Sequence, residues 1–407
     1  MSTKHFSESI LKLIKYAESQ KFIGFDPYDT LNGWVPFQLL GKWGPAVATQ
    51  IQKRNPINIR PLLGIKKDHN PKGMGLFLKA YCNLYRKTRD NAYIDKAEWI
   101  FKWLMANYSK GYSGMAWGYN FPWASSSEYK EAFLPSVVVT AHIVDGIFEY
   151  YDLTKDENAR QAIISAAEYV FGDIPVTEFD TGISFAYTHQ SKGACYNASL
   201  HAAEIILRAC LVQGKEPEER IEQAVRFVLS KQKADGSWYY SYNPETNTER
   251  KQIDFHQGFV LVSLHHIKQH CDFLKDDITR AIEKGLTFYR NEQFLPNGQS
   301  LWRLPKKWPV EIHNQAQGII TFSLLKDYHP GNLDFANTIF RWTIDNMQDP
   351  SGFFYYRKYP WFTNKIPFIR WGQAWMLLAS SELLTEVNFD LEEKENKTQK
   401  ALQNYNS

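Results

Sequence analysis

Six stretches of the chain are apolar around nearly their whole circumference, and they recur about every 60 residues. They begin near Gly75, Val137, Asn197, Gln257, Gln315 and Gln373. A helix with no polar face has to be buried on every side. Each of the first five is followed by a second helical segment with one charged face, such as EPEERIEQAVRFVLSKQ after the third. Several of these open with Asp or Glu in the first turn, as the helix dipole favours.

The sixth apolar helix has no amphipathic follower, and the first helix, SESILKLIKYAESQKF, has no apolar predecessor. Pairing the two closes a ring of six inner and six outer helices. One extra helix is expected over 36–53. An open solenoid needs polar repeats at its ends, and the sequence shows none. The pattern therefore predicts an all-α, (α/α)6 toroid over residues 1–385. Residues 386–407, rich in Glu, Lys, Asn and Gln, are expected to form a polar tail.

After each outer helix comes a Gly-aromatic segment: IGFDPYD, SGMAWGY, TGISFAY, DGSWYY, NGQSLWR and SGFFYY. Gly ends the helix, and alternating aromatics predict short strands or hairpins. All six fall at one end of the ring, beside the starts of the inner helices, and together build a mouth.

Composition narrows the function. The chain is 44% hydrophobic with a formal charge of +3, which lacks the basic excess of a general nucleic-acid binder. No apolar run reaches the ~18 residues of a membrane span. The polar start has no signal-peptide pattern. Four cysteines without CxxC spacing read as reduced core residues, so a cytoplasmic location is expected. No nucleotide, metal or nucleophile-elbow motif occurs, and no cofactor is expected. Oligomeric state is not legible.

The aromatic share, 15%, is high. Trp117, Tyr119, Trp123, Trp238, Tyr240 and Tyr356 alternate along the mouth segments, with Trp371 at the sixth inner helix. Sugar rings stack their C–H faces on such side chains. Asn197, Gln257, Asn314 and Gln373, at inner-helix starts, are candidates to bind hydroxyls. Two adjacent repeats share an acid-x-His element, Asp254/His256 and Glu311/His313. A histidine beside a carboxylate is a candidate general base. Asp29 lies in the equivalent first turn. Basic residues gather here too, among them Lys72, Arg303, Lys306, Lys307, Arg357 and Arg370. Arg357 or Arg370 could grip a carboxylate bidentately, so a saccharide containing a uronate is the expected partner.

The strings YNFPW, CYNAS, IDFHQGF, VEIHNQAQ and RWGQAWMLL resemble the six-hairpin glycosidase-like superfamily, in particular toroid proteins encoded in polysaccharide-biosynthesis clusters. The resemblance covers roughly 7–385. It implies carbohydrate metabolism without choosing a reaction, because the superfamily includes hydrolases, lyases and epimerases. A hydrolase needs two carboxylates roughly 5 to 9.5 Å apart, for which Asp29 with Asp254 or Glu311 would serve. A uronate lyase or C5-epimerase would use His256 or His313 with Tyr196, Asn197 and Arg370. A monosaccharide 2-epimerase would use His256 and His313 as paired acid and base. A glycan-binding or scaffold protein would keep the aromatics without turnover.

Overall fold

The computed structural model describes residues 3–41, 43–124 and 129–387. Most of the expected polar tail, 388–407, lies outside the described residues.

The inner helices are α3 (Pro71–Thr88), α5 (Val137–Thr154), α7 (Tyr196–Gln213), α9 (His256–His270), α11 (Ile312–Leu324) and α13 (Trp375–Glu386). Each packs on the next, and α13 packs on α3, so the inner ring closes. The outer partners are α4 (Asn91–Ala106), α6 (Glu157–Asp173), α8 (Glu219–Ser230), α10 (Lys275–Gln293) and α12 (Asn332–Met347), with α1 (Thr3–Ser19) against α13. This is the (α/α)6 toroid, with the chain's first helix completing its last pair.

Closure is visible in detail. Gln348, just after α12, accepts a hydrogen bond from the Ser9 hydroxyl at 2.7 Å and donates to the Ser9 carbonyl at 3.1 Å. Gly352 in the last turn has φ +107°, and a Cβ there would stand 2.3 Å from the Lys12 carbonyl oxygen of α1. The turns after α6, α8 and α10 meet the next outer helix in the same way, through Gly182 at Gln223, Gly236 at Lys284 and Gly298 at Thr338. Only glycine permits both that approach and that φ.

Short antiparallel strands gather at the mouth, each hairpin rising from a Gly-aromatic turn. They are β1 (Trp123–Ala124) with β2 (Tyr129–Lys130), and β3 (Val176–Phe179) with β4 (Gly182–Phe185). A three-stranded set joins β5 (Ala194–Cys195), β6 (Ser241–Asn243) and β7 (Thr248–Arg250). A second joins β8 (Val310–Glu311), β9 (Arg357–Lys358) and β10 (Thr363–Asn364).

The extra helix is shorter than expected. A tight helical turn covers 37–40, Gly41 breaks it at φ +79°, and α2 spans Gly44–Arg54. The sixth inner helix differs as well. It opens with a π-helical turn, Ile369–Ala374, before α13 begins. The inserted residue re-aims the side chains at the turn, a device common at functional sites.

Halfway down the barrel axis, Lys79, Asp145, Arg208, Glu204, His266 and Glu382 form an ionic layer. Lys79 bridges Asp145 and Glu382, each at 3.0 Å, and Arg208 meets Asp145 at 2.6 Å. Arg208 and Lys79 outweigh burial and hold the Asp145 carboxyl down at about 2. Buried charges persist when paired in this way, and none of these six side chains lines the mouth cavity.

Candidate active site

Every inner-helix start contributes to the lining of a cavity of about 880 Å³, through Lys72, Val138, Asn197, His256, His313 and Arg370. The helix N-termini converge there, and their dipoles favour a negatively charged guest. Side chains add to this bias. Among the described residues the lining carries seven basic side chains (Lys53, Arg54, Lys72, Arg250, Arg303, Arg357 and Arg370) and two carboxylates, Asp254 and Glu311.

Neither carboxylate is free. Asp254 Oδ1 lies 2.5 Å from His256 Nδ1, and Oδ2 accepts from Gln252 Nε2 at 2.7 Å. Burial works to raise the Asp254 carboxyl, but His256 and Arg303 outweigh it and hold it below the usual carboxylate range. Glu311 accepts from Arg357 Nε at 2.5 Å and from Trp371 Nε1 at 3.0 Å. The register that sets Glu311 of β8 opposite Arg357 of β9 builds this pair. Arg370 is held from behind by Asp26, Nε to Oδ2 at 2.6 Å and Nη2 to Oδ1 at 2.8 Å. Each arginine keeps Nη1 clear of its carboxylate.

The two histidines differ. Asp254 beside Nδ1 of His256 sets the tautomer of the neutral ring, leaving Nε2 as the acceptor. His313 is buried, and among the described residues neither of its ring nitrogens has a hydrogen-bond partner. Burial, then the charges of Lys72 and Arg370, hold it well below the usual histidine range, so it is neutral. Phe255 lies between the two rings, 4.3 Å from His256 and 4.2 Å from His313 by ring centroid. Trp375 stacks on the other face of His313 at 4.6 Å.

Of the residues named from sequence, His256, His313, Asp254, Glu311, Lys72, Arg303, Arg370, Tyr119, Trp123, Asn197, Tyr240, Arg357 and Trp371 line this cavity. Other candidates lie elsewhere. Asp29 is buried behind it, bound to Arg60 Nε at 2.7 Å; burial pushes its carboxyl up to about 6 against the pull of Arg60. The Tyr196 hydroxyl donates to Glu249 at 2.7 Å, outside the cavity lining. Trp117 and Trp238 are fully buried, with indole N–H groups on the carbonyls of Leu104 and Val228. Tyr356 packs edge-on to Phe368 in the core.

The amides are structural for one shared reason. Gln257 accepts from the Trp238 N–H at 3.0 Å and also donates to the Trp238 carbonyl, clamping the backbone of the Gly-aromatic turn. Gln373 clamps Phe354 at 2.8 and 2.9 Å. Gln315 accepts from the Ser300 N–H, and Asn314 donates to the carbonyls of Leu301 and Trp302.

Sequence reading missed Lys53, Tyr28 and Phe255. Lys53, on α2, hydrogen-bonds the Tyr28 hydroxyl and lies 5.5 Å from the Trp371 ring. Burial drives its amine down to about 7; Glu311 opposes the fall, and Arg357 and Arg303 add to it.

The sequence matches no protein-family model and no curated protein sequence. Solved structures do share the fold. A sugar epimerase from a ruminal bacterium is similar at a TM-score of 0.61 and 14% identity, over 95% of this chain and 99% of that one. The cellobiose 2-epimerase of Bacillus thermoamylovorans gives 0.64 and 14%, over 78% and 88%. A polysaccharide lyase gives 0.58 and 10%, over 94% and 98%. The chain therefore shares the (α/α)6 toroid fold of these structures. Relatives of that fold carry different reactions, so the reaction has to be argued from the site.

Proposed function

We propose that the protein is a carbohydrate-active enzyme that removes a proton from the carbon next to a carboxylate or carbonyl of an acidic saccharide. The observation that carries this reading is the cavity's chemistry: two imidazoles flank one phenyl ring among cations, and both lining carboxylates are already paired. A glycosidase needs two working carboxylates across the bond. Here Asp254 and Glu311 are engaged, and Asp29 is outside.

In this reading His313, neutral and without a partner, takes the proton, and the C–H electron pair moves onto the adjacent carbonyl oxygen. Arg357 and Arg370 offset the charge that develops there. His256, whose imidazolium Asp254 stabilises, returns a proton to the other face, which inverts the centre. In a lyase the electron pair instead expels the oxygen at the next carbon, and His256 protonates that leaving oxygen. The names of the two epimerase neighbours favour inversion. An uncharged aldose, isomerised at C2, is the second substrate class that two imidazoles in one cavity suit.

Proton NMR in deuterated water tests this with uronate-containing and neutral oligosaccharides. Deuterium at C5, or a 4,5-unsaturated product, is the expected result. Deuterium at C2 transfers the same chemistry to the aldehyde substrate. New reducing ends without ring deuterium overturn the proposal in favour of hydrolysis, and saccharide binding without turnover overturns it in favour of a glycan-binding protein.

A further inference from the structure

Helix α2 is amphipathic in the wrong sense for a packed helix. Its inner face is small or polar: Ala46, Thr49 and Gln52 are buried. Its outer face, which borders the open side of the mouth cavity, carries Val47 and Ile51, 52% and 65% exposed, in line with Trp43 at the N-cap. A surface helix of a globular protein normally does the opposite. The most exposed large apolar side chains of the described residues all belong to this region, 34–62, and to Trp361, with Leu39 at 82% and Trp361 at 86%. The two segments are neighbours: Asn364 Nδ2, in the β9–β10 hairpin that carries Trp361, donates to the Asn55 carbonyl at the end of α2.

Charge follows the same sector. Residues 33–67 contain six Lys or Arg and no Asp or Glu. Residues 296–310 and 353–370, the two adjoining turns of the ring, also lack acids. Lys66, Lys67, Lys306, Lys307 and Lys365 are exposed there and are not part of the cavity lining. Of the acidic side chains near the rim, Glu245 and Glu249 stand on the β6–β7 hairpin, and exposed Glu131 follows β2.

We propose that this sector of the rim docks on an anionic lipid bilayer, with the outer face of α2 and Trp361 entering the interface. Tryptophan and aliphatic side chains interleaved with Lys and Arg are the composition that partitions into the headgroup region. A surround richer in Lys and Arg than in acids adds attraction to anionic lipid. A second copy of the chain is the poorer occupant, because a two-fold contact would set this basic sector against itself. No helix among the described residues is long and apolar enough to cross a membrane; the contact is a surface one. It stands independently of the reaction assigned to the cavity.

The test is co-sedimentation of the full chain with vesicles of phosphatidylcholine alone and of phosphatidylcholine with about 30% phosphatidylserine. Binding to the anionic vesicles, weakened by added salt, is the expected result. Leu39→Ser with Trp361→Ser should cut the bound fraction about tenfold or more, and Lys306→Glu with Lys307→Glu should cut it in an independent way. None of these four side chains is in the core or the cavity lining, and circular dichroism checks that both variants stay folded. Equal partition of wild type and variants, or no binding to anionic vesicles, overturns the proposal. A dimer by light scattering that dissociates in the Leu39/Trp361 variant overturns it in favour of a second copy.

Discussion

Asp254 holds the imidazole of His256 at 2.5 Å, whereas Glu311, two residues before His313, bonds to Arg357 and Trp371 instead. The same acid-x-His spacing thus yields two different histidines. In one repeat the acid turns back on its own helix start and fixes a tautomer. In the next, the β8–β9 register offers the acid an arginine, and the histidine is left neutral between aromatic rings. One histidine held by a carboxylate and one left neutral without a partner suit two different proton-transfer roles in one cavity.

Asp254→Asn should lower turnover by about 10² to 10⁴ while leaving KM within a few-fold, because the amide no longer favours the Nε2 acceptor form or stabilises the imidazolium. The rate of deuterium incorporation into substrate measures it. A turnover unchanged by the substitution would remove His256 from the mechanism.

The architecture was legible because burial on all sides writes itself into a helix as a missing polar face, and six such helices at even spacing have few ways to pack. The site was half legible. Gln257, Gln315 and Gln373 repeat for the same reason that the glycines do: each clamps the backbone of its own Gly-aromatic turn. A polar residue repeated in register serves the repeat, whereas the cavity is lined by residues that differ from one helix start to the next, Lys72, Val138, Asn197, His256, His313 and Arg370. Trp117 and Trp238 misled in a similar way, since an alternating aromatic in a turn fits a core plug as well as a sugar platform. Lys53 was hidden because α2 belongs to no repeat, and its inward-facing side follows no apolar pattern.

Gln257→Leu tests that distinction. Its loss leaves the buried N–H and C=O of Trp238 without partners, each costing about 1–3 kcal/mol. The variant should unfold at clearly lower denaturant, while the folded protein binds saccharide with an unchanged constant. A shift in saccharide affinity without a change in stability would restore the amide to the binding site.

Gly352→Ala addresses ring closure. The new methyl would meet the Lys12 carbonyl at a φ of +107°, so about 1–3 kcal/mol of backbone strain is expected, with the displacement of α1 in addition. Chemical denaturation should show the loss, and hydrogen exchange should rise first in α1. Uniform destabilisation without extra exchange in α1 would mean that α1 is not the closing element.

Lys53 makes the site sensitive to pH. Its amine titrates near 7 in the free protein, while a substrate uronate stays ionised at any pH well above its own carboxyl range. Attraction between the two is therefore present below about 7 and lost above it. We expect kcat/KM for an acidic saccharide to fall about tenfold on the alkaline side, the scale of one charge pair in a partly wet cavity. Lys53→Arg should abolish that limb by keeping its charge, and Lys53→Met should be low and flat at every pH. Stability must move in the opposite sense. Between about 7 and the ordinary lysine value of 10.5, the unfolded chain holds a proton that the folded amine has released. Stability then rises with pH through that window, and the rise should be smaller in Lys53→Met than in wild type. An alkaline limb that survives in Lys53→Arg would assign the titration to another group, with Lys72, also depressed by burial and by Arg370, the next amine to examine.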